Sequence, residues 1–482
     1  MFDLRPPFYI VGLLLIATGA AMLIPALTEL AAGNDNWDAF TESALFTVFA
    51  GAMMALACRN GMTPTLSIRQ AFLMTAAVWI LVPLFGALPL IEGDPYLSFT
   101  DAYFESVSGI TTTGSTVIDH LETLTPGANL WRGLLNWMGG LGFSFVAMVF
   151  LPFLRVGGMM FFQTQGFDTL GKVLPRASDI AGALLRFYLL LSLVVFVTYF
   201  SFGMSLLDAA VHTFATVSCG GFSTTDDSFG RYHGLIEYAG ALFMFLASLP
   251  FIRFVQLLQG VPRPMLHDRQ VRAYLTWTAA AVGAVVLWRL ATTEDGFEPI
   301  LRTSLFNMIS IFSGTGFGTA DVASWGAFAV AVAFLVGMIG GCTSSTSASI
   351  SIFRWQILLA AIRLQVRKLH SPSRVEALKY EGRVVEDEVL NPTIAFFTAF
   401  VLCFGIMSVM LCFSGIDTMS AIFAVWTSLG NIGYGFGAIV SRTGTMIDVP
   451  TSDKWVLITA MLMGRLGMMP MIVLLLPRFW RS

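Results

Sequence analysis

The sequence predicts an all-α membrane protein. Two leading transmembrane helices precede four parallel helix–pore-helix–loop–helix repeats, set around a central pore with fourfold pseudosymmetry. Three observations predict this. Of 482 residues, 56% are hydrophobic and only 12% charged, about half the charged share of a soluble domain. The apolar residues gather in runs of about 20, enough for a helix to cross hydrocarbon, and without the alternation of a β-barrel. A short glycine-bearing segment recurs four times, each time after an apolar stretch too short to cross.

Taken in order, the spans fall near 8–29, 41–58, 71–91, 131–154, 181–203, 237–259, 273–292, 326–341 continuing as 349–364, 392–413 and 454–476. No small-residue cleavage site follows the first run, which therefore reads as a retained helix and not a signal peptide. The short stretches lie near 99–109, 206–217, 302–312 and 418–430. A non-spanning helix is tolerated only when buried in protein or lining an aqueous cavity, so these read as re-entrant half-helices. Each leads into one glycine loop, with its key glycine at Gly114, Gly221, Gly316 or Gly433. The expected division is 1–69 for the leading helices, then 70–176, 177–264, 265–388 (with an interrupted inner helix) and 389–482 for the four repeats. Each repeat makes an even number of crossings, so all four run the same way.

Basic residues set the orientation. With the N-terminus inside, the cytoplasmic segments hold 20 of the 27 Lys and Arg but nine of the 30 acids, a balance of +11 against −14 elsewhere. Both termini are then cytoplasmic and all four loops lie toward the outside, where acidic residues concentrate cations.

Four glycine loops at one depth point to cation chemistry. A bare cation needs oxygen ligands to offset lost hydration, and backbone carbonyls supply them without a side-chain charge that would hold the ion too tightly. The candidate ligand-bearing residues are Thr112, Thr113 and Gly114; Cys219, Gly220 and Gly221; Gly314, Thr315 and Gly316; and Asn431, Ile432 and Gly433. The run Ile432-Gly433-Tyr434-Gly435 looks like the Val-Gly-Tyr-Gly of a potassium-channel filter. Below the loops, Gly337–Ser351 is a small, hydroxyl-rich interruption of a span. Such a segment breaks a helix at mid-membrane and suits a gate, with Gly341, Cys342, Thr343, Ser344, Ser345 and Thr346 at its centre. Arg465 lies deep in the last span, at an insertion cost of at least about 2.5–3.5 kcal/mol. Its expected partner is either this polar segment or an acid such as Asp321. Asp101, Asp208 and Asp417 are expected to cap half-helices, and Glu105 to buttress the first loop from behind. The five cysteines and five histidines have no metal-ligand spacing, and no phosphate-binding loop, dinucleotide fingerprint or HExxH is present. Enzymatic chemistry is not expected.

The stretches Phe104–Gly114, Gly220-Gly221-Phe222-Ser223-Thr224, Gly314–Asp321, Asn431–Gly435 and Gly464-Arg465-Leu466 carry a family resemblance over nearly the whole chain. It resembles the TrkH/KtrB/HKT superfamily of potassium transporters, nearest to its TrkH branch, which has the same two extra leading helices. The resemblance implies that Gly114, Gly221, Gly316 and Gly433 are filter glycines preferring potassium. It implies that Arg465 blocks the pore and that Gly340–Ser351 is an intramembrane gating loop. It further implies potassium as substrate with no cofactor, a bacterial inner membrane, a homodimer, and a cytoplasmic nucleotide-binding regulatory subunit (TrkA-like), with no nucleic-acid partner. The expected function is potassium uptake by selective conduction. The alternative is a symporter coupling potassium to sodium or protons, and more remotely a membrane protein without transport activity. The chain departs from the family pattern in four places, the first being Ser313-Gly314-Thr315-Gly316 where the family often has Thr-Thr-Thr-Gly. Its gating loop lacks the family's glycines and final lysine, Gly467 stands where the family has glutamate, and Tyr434 stands where it often has proline.

Overall fold

In hydrocarbon a backbone must satisfy its own polar groups, so apolar runs become helices. The computed structural model describes residues 3–61, 67–150, 177–371, 376–439 and 445–480. The end of the expected fourth span, at 151–154, lies outside them. Six described helices are long and apolar enough to cross a membrane, and two bent pairs bring the number to eight. The other two expected spans correspond to the helix Pro126–Phe150 and to the interrupted pair Ala327–Ile339 and Ile352–His370.

The leading helices, Arg5–Ala32 and Trp37–Cys58, cross so closely at Gly12 and Gly51 that a β-carbon on either would strike the other's carbonyl oxygen. Small residues at a crossing give membrane helices their packing energy. The buried Glu29 on the first helix accepts the Gly127 N–H at 2.8 Å. It thereby caps the inner helix of repeat 1 and docks the leading pair on it.

Each repeat has an outer helix, a half-helix and an inner helix. The outer helices are Ile68–Gly86, Ala177–Ser201, Arg269–Thr292 and Asp387–Phe413. The half-helices are Phe99–Ile110, Leu206–Ser218, Phe297–Ser313 and Thr418–Gly430. The third begins one turn earlier than expected. One apolar cluster joins the leading pair to repeats 1 and 4, a second fills repeat 2, and a third joins repeats 3 and 4. A two-stranded antiparallel hairpin, with Lys379 opposite Val384, links repeats 3 and 4.

Two expected spans are corrected. The run 237–259 is not continuous: Leu235–Ala247 and Phe251–Leu258 meet at 95°. Pro250 has no N–H to continue the helix, so the chain turns there. Likewise 454–476 divides into Thr451–Leu466 and Met468–Leu475, bent by 115°. Its break is Gly467, in the left-handed region at φ +89°.

Candidate functional site

All four half-helices end in the same backbone motif. The residues two before the key glycines, Thr112, Cys219, Gly314 and Asn431, are left-handed at φ +54°, +54°, +74° and +49°. The next N–H reaches back five residues in every case. Thr113 donates to the Ser108 carbonyl at 2.8 Å, Gly220 to Ala215 at 2.8 Å, Thr315 to Ser310 at 2.9 Å and Ile432 to Thr427 at 2.9 Å. This is the Schellman way of closing a helix. The key glycines are then left-handed again, at φ +83°, +69°, +81° and +79°. Four unlike sequences thus adopt one conformation.

These loops close a ring. A β-carbon on Gly114 would collide with the carbonyl oxygen of Gly220, one on Gly221 with that of Thr315, one on Gly316 with that of Ile432, and one on Gly433 with that of Thr113. The order of contacts is repeat 1 to 2 to 3 to 4 and back to 1. All twelve expected loop residues lie in this ring. Side chains strap it: Thr111 and Thr113 hydroxyls meet at 2.7 Å, Ser313 and Thr315 at 2.7 Å, and Asn431 Nδ2 donates to Thr113 Oγ1 at 2.9 Å across the seam between repeats 4 and 1.

Behind the ring, in repeats 1 to 3 the residue nine before the key glycine holds the segment that follows it. Glu105 accepts from Val117 N at 3.0 Å and Thr116 Oγ1 at 2.9 Å, and pairs with Arg132 at 2.8 Å, both side chains fully buried. Arg132 continues into repeat 2, donating to the Ser223 carbonyl at 2.9 Å and lying 4.4 Å above the Phe222 ring. In repeat 2 the equivalent residue is His212, paired with Ser223 Oγ at 3.1 Å. In repeat 3 it is Asn307, which bonds Thr319 through both backbone N (3.2 Å) and Oγ1 (2.8 Å). Sequence reasoning found Glu105 but not these two; their shared register with Glu105 was the available signal. Repeat 4 has Ala424 there, and Tyr434 instead braces repeat 3 by donating to the Ala320 carbonyl at 3.0 Å.

Above the ring is a cavity of about 610 Å³ lined by Gly316, Gly433 and Tyr434 together with Asp226, Asp227 and Asp321. Asp417 is a helix cap, as expected, and hydrogen bonds from Ser420 hold its carboxyl below the ordinary range. Asp101 and Asp208 are not caps. Ser98 and Ser205 accept their N–H groups at 3.2 and 3.1 Å and donate back to their carboxylates at 2.7 Å. A serine hydroxyl serves the cap site, and the acid three residues on accepts that hydroxyl's hydrogen bond.

Beneath the ring lies the interruption of the repeat 3 inner helix. It fits into the break of the repeat 2 inner helix, and each supplies the other's missing partners. Cys342 N donates to the Ser248 carbonyl at 3.0 Å and Phe251 N to the Ser344 carbonyl at 2.9 Å. Thr343 N donates to Gln270 Oε1 at 3.0 Å, Gly341 N to Ser347 Oγ at 2.9 Å, and Ser345 Oγ to the Cys342 carbonyl at 2.6 Å. Hydroxyls then reach up to three half-helix ends. Thr346 Oγ1 lies 2.9 Å from the Val217 carbonyl, Ser347 Oγ 2.5 Å from that of Ser313, and Ser349 Oγ 2.9 Å from that of Gly430. Thr346 Oγ1 is also 3.4 Å from Cys219 Sγ. Ser344, Ser349 and Ser351 adopt left-handed backbone at φ +66°, +66° and +80°, a strain of about 1 kcal/mol or more each. Of the two expected partners of Arg465, the structure selects the loop: the buried Nη1 donates to the Thr346 carbonyl at 3.1 Å. Asp321 caps Ala323 instead.

The TrkH family model, described as a cation transport protein, matches residues 37–278 and 300–482. The Trk system potassium uptake protein TrkI of Halomonas elongata is 35% identical over 479 residues, covering 99% of this chain and 97% of that protein. The Trk system potassium uptake protein TrkH of Escherichia coli is 31% identical over 480 residues, covering 98% of each. The crystal structure of the potassium transporter TrkH from Vibrio parahaemolyticus superposes with a TM-score of 0.91 at 31% identity, covering 100% of both chains.

Proposed function

This chain belongs to the TrkH family of cation transport proteins, and on that premise we propose that it takes up potassium across a bacterial inner membrane by selective conduction. The single observation that carries the reading is the closed ring of contacts between each key glycine and the next repeat's carbonyl. Ions enter through the acidic outer cavity and lose water to loop carbonyls at Thr112–Gly114, Cys219–Gly221, Gly314–Gly316 and Asn431–Gly433. The half-helix C-termini, each carrying about half a negative charge, stabilise the ion as it leaves the ring.

Arg465 and the loop from Gly341 to Thr346 form the gate. A guanidinium about 4 Å from a cation, at an effective dielectric near 20, repels it by about 4 kcal/mol. Conduction then requires the loop and Arg465 to move aside together, since the Thr346 carbonyl holds the arginine. The inside-negative potential favours uptake by about 2.3 kcal/mol per charge per 100 mV. The excess of basic residues on one side supports cytoplasmic termini. The names of the Trk system relatives support a multicomponent assembly, which we propose to be a homodimer with a TrkA-like nucleotide-binding subunit.

The test is uptake of a radioactive potassium analogue into proteoliposomes holding the purified protein. Uptake set by membrane potential, competed by potassium and weakly by sodium, is expected. Uptake that requires a sodium or proton gradient would replace conduction with symport.

A further inference from the structure

The residue before each key glycine is Thr113, Thr315 or Ile432 in loops 1, 3 and 4, but Gly220 in loop 2. The two threonine hydroxyls turn back onto their half-helix ends, so a side chain at this position packs behind the loop. Gly220 lies outside the left-handed region, and its backbone would accept a side chain. Its space is taken by another residue. A β-carbon on Gly220 would lie 2.5 Å from Cγ, 2.7 Å from Nδ2 and 2.8 Å from Oδ1 of Asn136. Asn136 is on the inner helix of repeat 1 and is fully buried. Its carboxamide makes no hydrogen bond to the protein, so it holds loop 2 by filling volume. One turn further along the same helix, Gly139 presses on the Ile110 carbonyl and Gly140 on Ser218. The helix is therefore wedged between the ends of half-helices 1 and 2, and Asn136 has a fixed seat.

We propose that Asn136 is a selectivity-positioning residue. It supplies from the neighbouring repeat the volume that loops 1, 3 and 4 supply for themselves, and so keeps loop 2 in register with the ring. This rests on reading the ring as the ion filter.

The test is a volume exchange. Asn136→Ala removes three side-chain heavy atoms, and Gly220→Thr adds three. Each single variant is expected to lower the potassium-to-sodium permeability ratio about tenfold, and the double variant to return it to within about threefold of native. Reversal potentials in reconstituted bilayers give the ratio, size-exclusion chromatography reports folding, and Gly114→Ser serves as a control on the ring. If Gly220→Thr alone fails to fold, recovery of folded, selective protein in the double variant supports the exchange. A double variant no better than the worse single, in selectivity or in folded yield, overturns it. So does an unchanged ratio in Asn136→Ala when Gly114→Ser lowers it. If Gly114→Ser also leaves the ratio unchanged, the filter reading itself is lost and the proposal with it.

Discussion

The ring and the layer beneath it are built on opposite principles. The ring repeats one backbone conformation four times, with left-handed residues at Thr112, Cys219, Gly314 and Asn431 and again at the key glycines, although no two loops have the same sequence. The lower layer has no such repetition: one loop comes from repeat 3 and one arginine from repeat 4, joined at the Thr346 carbonyl. As the proposed ion filter, the ring needs ligands from all sides and takes them from the backbone, which is indifferent to sequence. A switch needs one moving part, and duplicating it fourfold would multiply the contacts to be broken. The two layers meet where Thr346, Ser347 and Ser349 reach the ends of half-helices 2, 3 and 4.

The contrast breaks most visibly at a ring glycine. Gly316→Ala forces a side chain onto left-handed backbone and into the Ile432 carbonyl. Potassium uptake in a strain lacking its own uptake systems should fall to background, a loss of about 100-fold or more for a clash with rigid backbone. Ordinary uptake at normal expression would mean that the ring is not tightly closed. In the lower layer the sign reverses. Arg465→Ala removes the repelling charge, and flux into proteoliposomes should rise about tenfold or more, within the repulsion estimated for a cation at that distance. A fall or no change would remove Arg465 from the gate. A smaller effect comes from the seam between layers. Ser347→Gly deletes two hydrogen bonds, the one to the Ser313 carbonyl and the one from Gly341 N, of about 0.5–1.5 kcal/mol each. Flux should rise about two- to tenfold with the permeability ratio unchanged. A changed ratio with unchanged flux would assign Ser347 to the ring and not to the gate.

The ring was legible in the sequence because its signals are regular: a non-spanning apolar stretch, then small residues, then glycine, four times over. Glu105 stood out as a charge within a half-helix. His212 and Asn307 did not, since their side-chain types differ and only their shared distance from the key glycine relates them. The breaks at Pro250 and Gly467 were hidden within runs long enough to cross, where apolar composition outweighs a single breaker. Ser98 and Ser205 were overlooked beside Asp101 and Asp208, because both residue types are good caps and only backbone geometry separates cap from third residue. The choice between the two expected partners of Arg465 needed the structure. A backbone carbonyl leaves no mark in the sequence, whereas an acid such as Asp321 does. The packing of Asn136 on Gly220 was likewise invisible, as a contact between repeats more than eighty residues apart in the chain.

In the proposed function the four loops discriminate the ion. Reversal potentials of the reconstituted protein under potassium and sodium gradients, for native protein and for Gly114→Ser, test it most directly. A side chain at residue 114 pushes the first loop off the Gly220 carbonyl, so a clearly lower potassium-to-sodium permeability ratio is expected in folded, conducting protein. A ratio equal to the native value would contradict it and move selectivity away from the ring.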